Sequence, residues 1–351
     1  MNFNIYGVNF YFKSAPPHVA QLFHNEWNLF LNETKNSGVS IYIKFLDSID
    51  IDTSAKLLQS SYPGEFLAYH NGNIYLFKDQ KVHLKLDEIC KKSINVNCKK
   101  DVSEDELFSL LERLLLIKLI ENGHTINHAS CFKIREKAYA FSSLSGVGKS
   151  KLLMHYLKTR EERVEFISDD ILIVDKNLVA LPYPRGINIK EYDKDLFYKT
   201  LIRSSLKDIS RYFFHFFKRK ILSKKGSIYS IRAFMHKLWN DIDISRSKIN
   251  ILFILEKREK TPVKKVSISK KELGYFLKSN IELELYGSLR GYFDLLQLID
   301  DLHVDNFNKY LHAIRKQQFE NNERFCASVK ISKILVDNDF DLRSIEKQIF
   351  S

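Results

Sequence analysis

Within residues 1–100, apolar and polar positions alternate over short runs. Ile41-Tyr42-Ile43-Lys44-Phe45 and Asn73-Ile74-Tyr75-Leu76-Phe77 predict strands rich in β-branched and aromatic side chains. Asn71-Gly72 ahead of the second is a hairpin signal, and Pro16-Pro17 and Pro63-Gly64 punctuate the region. From Ser103 to Asn122 the spacing becomes helical. Leu107, Leu110, Leu111, Leu114 and Ile117 share one face, Ser103 and Glu106 fit a capping box, and Gly123 is a stop. The pattern predicts a β-rich N-terminal lobe over 1–100, a connecting helix over 101–123, and a further domain over 124–351.

After Gly123 the alternation returns. Thr125 to Phe132 and Ala138 to Phe141 predict a hairpin through Lys133–Lys137. Glu165 to Ser168 reads as a strand, and Ile171 to Val174 and Leu178 to Leu181 as two more across Asp175-Lys176-Asn177. A doubly wound parallel sheet would have helices where these hairpins stand. The expected fold is α/β of the α+β kind: a mixed, largely antiparallel sheet beside the small β-rich lobe.

Between the hairpins lies Ser143-Leu144-Ser145-Gly146-Val147-Gly148-Lys149-Ser150, followed by a good helix start, Leu152 to Leu157. Strand, loop and helix in that order are the context of a P-loop, G-x-x-x-x-G-K-S/T, with Ser143 at the first glycine. Gly146 and Gly148 let backbone N–H groups curl toward phosphate oxygens, and Ser145 and Val147 complete the cradle. A helix N-terminus adds partial positive charge. Lys149 would reach the β- and γ-phosphates of ATP, and the Ser150 hydroxyl would ligate Mg²⁺.

Asp169-Asp170 ends the next strand, with Asp169 twenty residues after Lys149. Adjacent carboxylates beside a phosphate loop allow two roles, one holding Mg²⁺ and one taking a proton from an attacking hydroxyl. Like charges side by side also raise one pKa, which suits a base. Asp169 is taken for the metal and Asp170 for the proton, with the reverse division as the alternative. His124 and His128 have a ligand spacing for a helix, but they stand at a strand entry, so no metal site is expected there.

Asn127-His128-Ala129-Ser130, then Ser145-Gly146-Val147-Gly148-Lys149-Ser150, then Asp169-Asp170 together resemble the HPr kinase/phosphorylase superfamily, related in fold to ATP-dependent phosphoenolpyruvate carboxykinase. Ile251 to Glu256 is similar to a strand of these kinases, and Ser269-Lys270-Lys271-Glu272 reads as a helix cap. The resemblance covers roughly residues 120–340. It implies that His128 lies near the phosphates, orienting a carboxylate or aiding proton transfer. HPr kinase's glycine-rich signature is reduced here to Pro184-Arg185-Gly186, and Arg185 would stabilise the transferring phosphoryl group. The first 100 residues do not resemble its N-terminal domain. The likeness is greater to the divergent enzymes of peptide natural-product pathways, such as kinases of lasso-peptide precursors. Members of the superfamily often form homo-oligomers.

Charge changes the picture in one segment. The chain carries 55 Lys and Arg against 43 Asp and Glu, a net +12, which exposed lysines account for with or without an acidic partner. Ile202 to Lys225 holds eight Lys and Arg against Asp208 alone, with Tyr212, Phe213, Phe214, Phe216 and Phe217 in its middle. Lys218, Arg219 and Lys220 are candidate contacts for an acidic peptide; a membrane-surface helix and a basic helix with its aromatics in the core are the other readings. No nucleic-acid motif accompanies the aromatics, so no nucleic acid partner is expected. No apolar run approaches the ~20 residues of a membrane span. Four cysteines without a CxxC, and no signal peptide at the N-terminus, lead us to expect a cytoplasmic protein.

The expected activity is an ATP- and Mg²⁺-dependent kinase acting on a Ser or Thr hydroxyl of a peptide or protein. A small-molecule hydroxyl kinase and a non-catalytic nucleotide-binding regulator are the alternatives. Paired aspartates favour an enzyme, because binding alone needs no base.

Overall fold

A computed structural model describes residues 1–31, 38–49, 56–59, 65–70, 73–78, 81–144, 146–159, 164–183, 186–190, 194–202, 209–210, 212–214, 216–217, 230–233, 243–280, 305–337 and 341–350. The fold is mixed α/β, with two mixed eight-stranded sheets. The first is built from β1 (Asn2–Ile5), β2 (Val8–Lys13), β3 (Val39–Leu46), β4 (Lys56–Gln59), β5 (Glu65–His70), β6 (Asn73–Lys78), β7 (Val82–Lys85) and β8 (Ser93–Lys99). Its spatial order is β1-β2-β3-β8-β7-β6-β5-β4. β2, β3 and β8 run parallel and the rest antiparallel. The Asn71-Gly72 and Pro63-Gly64 turns lie outside the described residues; the strands flanking the first pair with His70 opposite Asn73.

Helix α1 (Pro17–Trp27) starts with Pro17 in its first turn, where a missing N–H costs nothing. Helix α2 (Glu104–Glu121) departs from its expected form in two ways. Ser103 has extended backbone at the N-cap, but its side chain makes no capping hydrogen bond. Burial also extends around the helix, because Phe108, Leu115, Leu116, Leu119 and Ile120 join the expected stripe. A helix apolar all round must be enclosed. The α2 side chains share one core with Ile41 and Ile43 of β3, Phe23 and Trp27 of α1, and Leu311 and Ile314 of α6 (Asp305–Ser328). The buried Lys118 ammonium donates to Glu121 at 2.7 Å and to the Tyr310 hydroxyl of α6 at 3.0 Å. Gly123, with φ +84, ends the helix in left-handed backbone.

The second sheet contains β9 (Thr125–Ile134), β10 (Lys137–Ser142), β11 (Val164–Ser168), β12 (Ile171–Val174), β13 (Val179–Leu181), β16 (Ser247–Lys257), β17 (Lys264–Val266) and β18 (Lys330–Val336). β14 (Ile187–Lys190) and β15 (Ser230–Ala233) pair apart from it. Among the described strand pairings of this sheet, β10–β16 and β16–β18 are parallel and the others antiparallel. The pairings of β10, β9, β12, β13 and β16 return on themselves, since β16 also pairs with β10.

Side chains alternate across a strand, and β9 uses both faces. Ala129 and Cys131 face a core shared with Phe325 and Val329 near the end of α6. On the opposite face, Ile126 belongs to the core of α2 and the first sheet, while Phe132 and Ile134 belong to the core of α3 (Lys149–Thr159). His128 and Ser130 fall between those two cores. α4 (Lys194–Ile202) and α7 (Leu342–Phe350) contribute Phe197, Leu201, Ile345 and Ile349 to the α3 side.

Candidate functional site

β10 ends at Ser142, and α3 begins at Lys149. Gly146 (φ +82) and Gly148 (φ +114) hold left-handed backbone, which costs an L side chain roughly 1–2 kcal/mol. A Cβ at Gly146 would meet nothing within 4 Å, so the dihedral rather than space requires glycine. Ser143 is not among the positive-φ residues, so a side chain is accommodated there. That side chain is used. Lys149 Nζ donates to the Ser143 carbonyl oxygen at 3.1 Å and to its hydroxyl at 3.2 Å. Ser143 Oγ in turn donates to the Leu144 carbonyl at 2.9 Å. Lys149 is 5 % exposed, so an ammonium is buried at the start of α3, where the helix also leaves its first amides without intrahelical partners.

A bulge sets the position of Asp169. In β11, Phe166 stands opposite Phe132 of β9, yet Ser168 stands opposite Cys131, so one residue is extra at Ile167. The shifted register continues past the aspartates, with Ile171 opposite His128. Asp169 is thereby carried opposite Ser130. Without the bulge it would face the other side of the sheet, among Ala129 and Cys131, because a slip of one residue exchanges faces. Ser130 Oγ donates to Asp169 Oδ1, and Ser150 Oγ donates to the same oxygen at 3.1 Å. Burial and the neighbouring Asp170 charge raise the Asp169 pKa to about 6 against the lowering effect of Ser130, Ser150 and Lys149. Asp170 is half-buried and left-handed (φ +62), a conformation that Asp tolerates better than most residues. It interrupts the extended path, and the Ile171 amide bonds back to the Asp169 carbonyl at 2.8 Å.

His128 is half-buried on the same face of β9 as Ser130, and its carbonyl accepts from Ser142 Oγ at 3.0 Å. The structure therefore brings Lys149, Ser150, Asp169, Asp170 and His128 to one place, the junction between the α2 core and the α3 core. Val147 is buried and belongs to the latter. Ser145, Arg185, Lys218, Arg219 and Lys220 lie outside the described residues. Near Arg185, Tyr183 lies beside Ser168, and its amide donates to the Ile167 carbonyl at 3.0 Å. Two N-terminal residues reach these positions: Tyr6, in the turn between β1 and β2, donates to the Pro182 carbonyl, and Glu26 of α1 accepts from the Gly186 amide at 2.8 Å. Near Lys218 the aromatic cluster divides. Tyr212 packs in the core against Phe197 at 5.2 Å, while Phe213, Phe214 and Phe217 are exposed.

Two contributors, Ser130 and Asn280, are not among the site residues expected from sequence. Ser130 is a buried polar residue two positions from His128 on an otherwise apolar strand face, which is a readable interruption. Asn280, the last residue of α5 (Lys270–Asn280), reaches the loop from far along the chain. The expected cap of α5 is present, the Glu272 amide donating to Ser269 Oγ at 3.2 Å. Among the described residues no helix is long and apolar enough to cross a membrane. Comparison with protein-family models and with curated proteins gives no match.

Proposed function

We propose that residues 143–150 form a phosphate-binding loop and that the chain is an ATP- and Mg²⁺-dependent kinase acting on a Ser or Thr hydroxyl of a peptide or protein. The observation that carries this reading is the cluster at the loop's end. A buried ammonium, Lys149, sits beside a hydroxyl and a carboxylate, Ser150 and Asp169, that share a hydrogen bond. The domain would then be a P-loop kinase of the HPr-kinase-like kind, with ATP as phosphoryl donor.

The residues fit the cation. Ser150 and Asp169 offer oxygen only, the donor type that Mg²⁺ takes together with phosphate oxygens. A buried carboxylate whose pKa is raised to about 6 is short of positive charge, which a divalent ion supplies. When bound, Mg²⁺ neutralises phosphate charge. Lys149 and the loop amides hold the phosphates, and the α3 N-terminus favours their charge. Ser130 orients Asp169 through its hydrogen bond. Asp170, which follows Asp169 at a sharp backbone break, accepts the proton of the acceptor hydroxyl, with His128 on the adjacent strand orienting the carboxylate pair. Holding donor and acceptor in line supplies much of the acceleration.

The test is calorimetric titration with Mg·ATP, beside mass spectrometry of acidic Ser- and Thr-containing peptides incubated with the protein and ATP. Binding with a mass gain of one phosphate supports the reading. Binding without transfer to any peptide, protein or metabolite favours a regulator, and transfer to a metabolite alone favours a small-molecule kinase. No binding removes the phosphate-loop reading.

A further inference from the structure

The loop is held from outside by a residue that no local pattern singles out. Asn280 is 1 % exposed at the end of α5. Its Nδ2 donates to the Ser143 carbonyl oxygen at 3.2 Å and to the Ser142 hydroxyl at 3.4 Å. The Ser142 hydroxyl passes the connection on to the His128 carbonyl of β9. Among the described residues, no donor reaches the buried Asn280 Oδ1.

The start of α5 is pinned as well. Glu272 accepts from Lys333 Nζ of β18, which also donates to Glu256 of β16 at 3.0 Å. The helix is thus a strut running from the second sheet to the loop. Ser143 O receives two donors, Asn280 Nδ2 and Lys149 Nζ, which its two lone pairs satisfy together. If Lys149 turns to an arriving phosphate, Asn280 still bonds this buried carbonyl. A buried carbonyl stripped of every donor would oppose the exchange.

We propose that Asn280 is a positioning residue of the phosphate loop, holding Ser142 and Ser143 in place so that Lys149 can exchange Ser143 for the phosphates of a nucleotide. The inference rests on the phosphate-loop reading above. It assigns to α5, remote in sequence, the geometry of the site.

The test uses the full chain with Asn280→Asp, which keeps the shape and replaces the donor, and Asn280→Leu, which removes both polar atoms. Hydrogen exchange is followed without nucleotide, and Mg·ATP affinity is measured by calorimetry. We expect faster exchange at the Leu144, Gly146 and Gly148 amides with β9 and β16 unchanged. We also expect about tenfold weaker Mg·ATP binding in Asn280→Asp, the scale of one lost hydrogen bond to a buried group. Should Asn280→Leu fail to fold, Asn280→Asp carries the test. Variants that bind like wild type with unchanged loop exchange overturn the inference while leaving the phosphate-loop reading intact. Exchange that quickens evenly through the sheet overturns it too, since Asn280 would then act on the whole fold. A wild-type chain that binds no Mg·ATP, with loop exchange still quickened in the variants, removes the phosphate-loop reading and reduces Asn280 to a structural contact.

Discussion

β3 and β9 are inner strands of the first and second sheets, and they bury their side chains differently. In β3, Val39, Ile41, Ile43 and Phe45 are buried while Tyr42, Lys44 and Leu46 are exposed. One face packs and the other meets solvent. In β9 both faces are covered, so Ser130 and Asn127 are as buried as Ile126 and Phe132. Apolar alternation therefore marks packing in β3. In β9 the informative residues are those that break an apolar face: His128 and Ser130 stand where the α2 core gives way to the α3 core. A polar group buried there must be hydrogen-bonded, and Ser130 meets that requirement on Asp169.

The comparison is broken most severely at the site. Asp170→Asn should lower kcat by roughly 10²–10⁴-fold, as loss of a general base does, with Mg·ATP affinity nearly unchanged. Single-turnover transfer and calorimetry on the same sample check it, and wild-type transfer by the variant would end the division of labour between the aspartates. In β3, Ile43→Ala should instead cost about 2–5 kcal/mol of stability in urea denaturation, through a cavity in the core of α1 and α2. Activity per folded molecule should be untouched. If kcat falls with it, the first sheet is coupled to the site.

Lys149→Ala should cost about 100-fold or more in phosphoryl transfer. The loop should survive in the circular dichroism and melting curve, because Asn280 and the backbone hold Ser143.

The smallest effect sharpens the contrast through pH. Asp169 has its pKa raised to about 6, so between its ordinary value and about 6 the folded chain keeps a proton that the unfolded chain has lost. Its contribution to stability therefore falls as pH rises through that window and stays lower above it. Asp169→Asn, without nucleotide, should be the more stable form near pH 7.5 by about 1–3 kcal/mol, and the difference should close near pH 4. A difference that is flat with pH would show that the carboxylate is not ionised at a cost. The same substitution should weaken Mg·ATP binding, opposite in sign to its effect on the unliganded fold.

What the sequence made legible follows from the same contrast. The strand predicted at Ile41–Phe45 is β3, where the pattern is one-sided. The hairpins around residues 143–164 were readable from turn residues and gave the mixed, mainly antiparallel second sheet. For α2 the periodicity suggested one buried face, but a helix between two sheets hides all of them. The face on which Asp169 emerges depends on the bulge at Ile167, a backbone event that no residue type there announces. Asn280 was invisible for a different reason: its partners are 137 and 138 residues away, and nothing around it is unusual.

The bonds from Tyr6, Glu26 and Trp27 to Pro182, Tyr183 and Gly186 have a consequence in time. Tyr6 reaches Pro182, Trp27 donates to the Tyr183 hydroxyl at 3.4 Å, and buried Glu26 takes the Gly186 amide 160 residues later. At a ribosomal rate of about 5–20 residues per second, that separation corresponds to about 8–32 s of synthesis. For that interval α1 of the nascent chain carries a carboxylate, Glu26, and an indole, Trp27, lacking these partners. Its final docking thus awaits emergence of the residues beside Asp169, and the core around it is closed later still by Leu311 and Ile314 of α6.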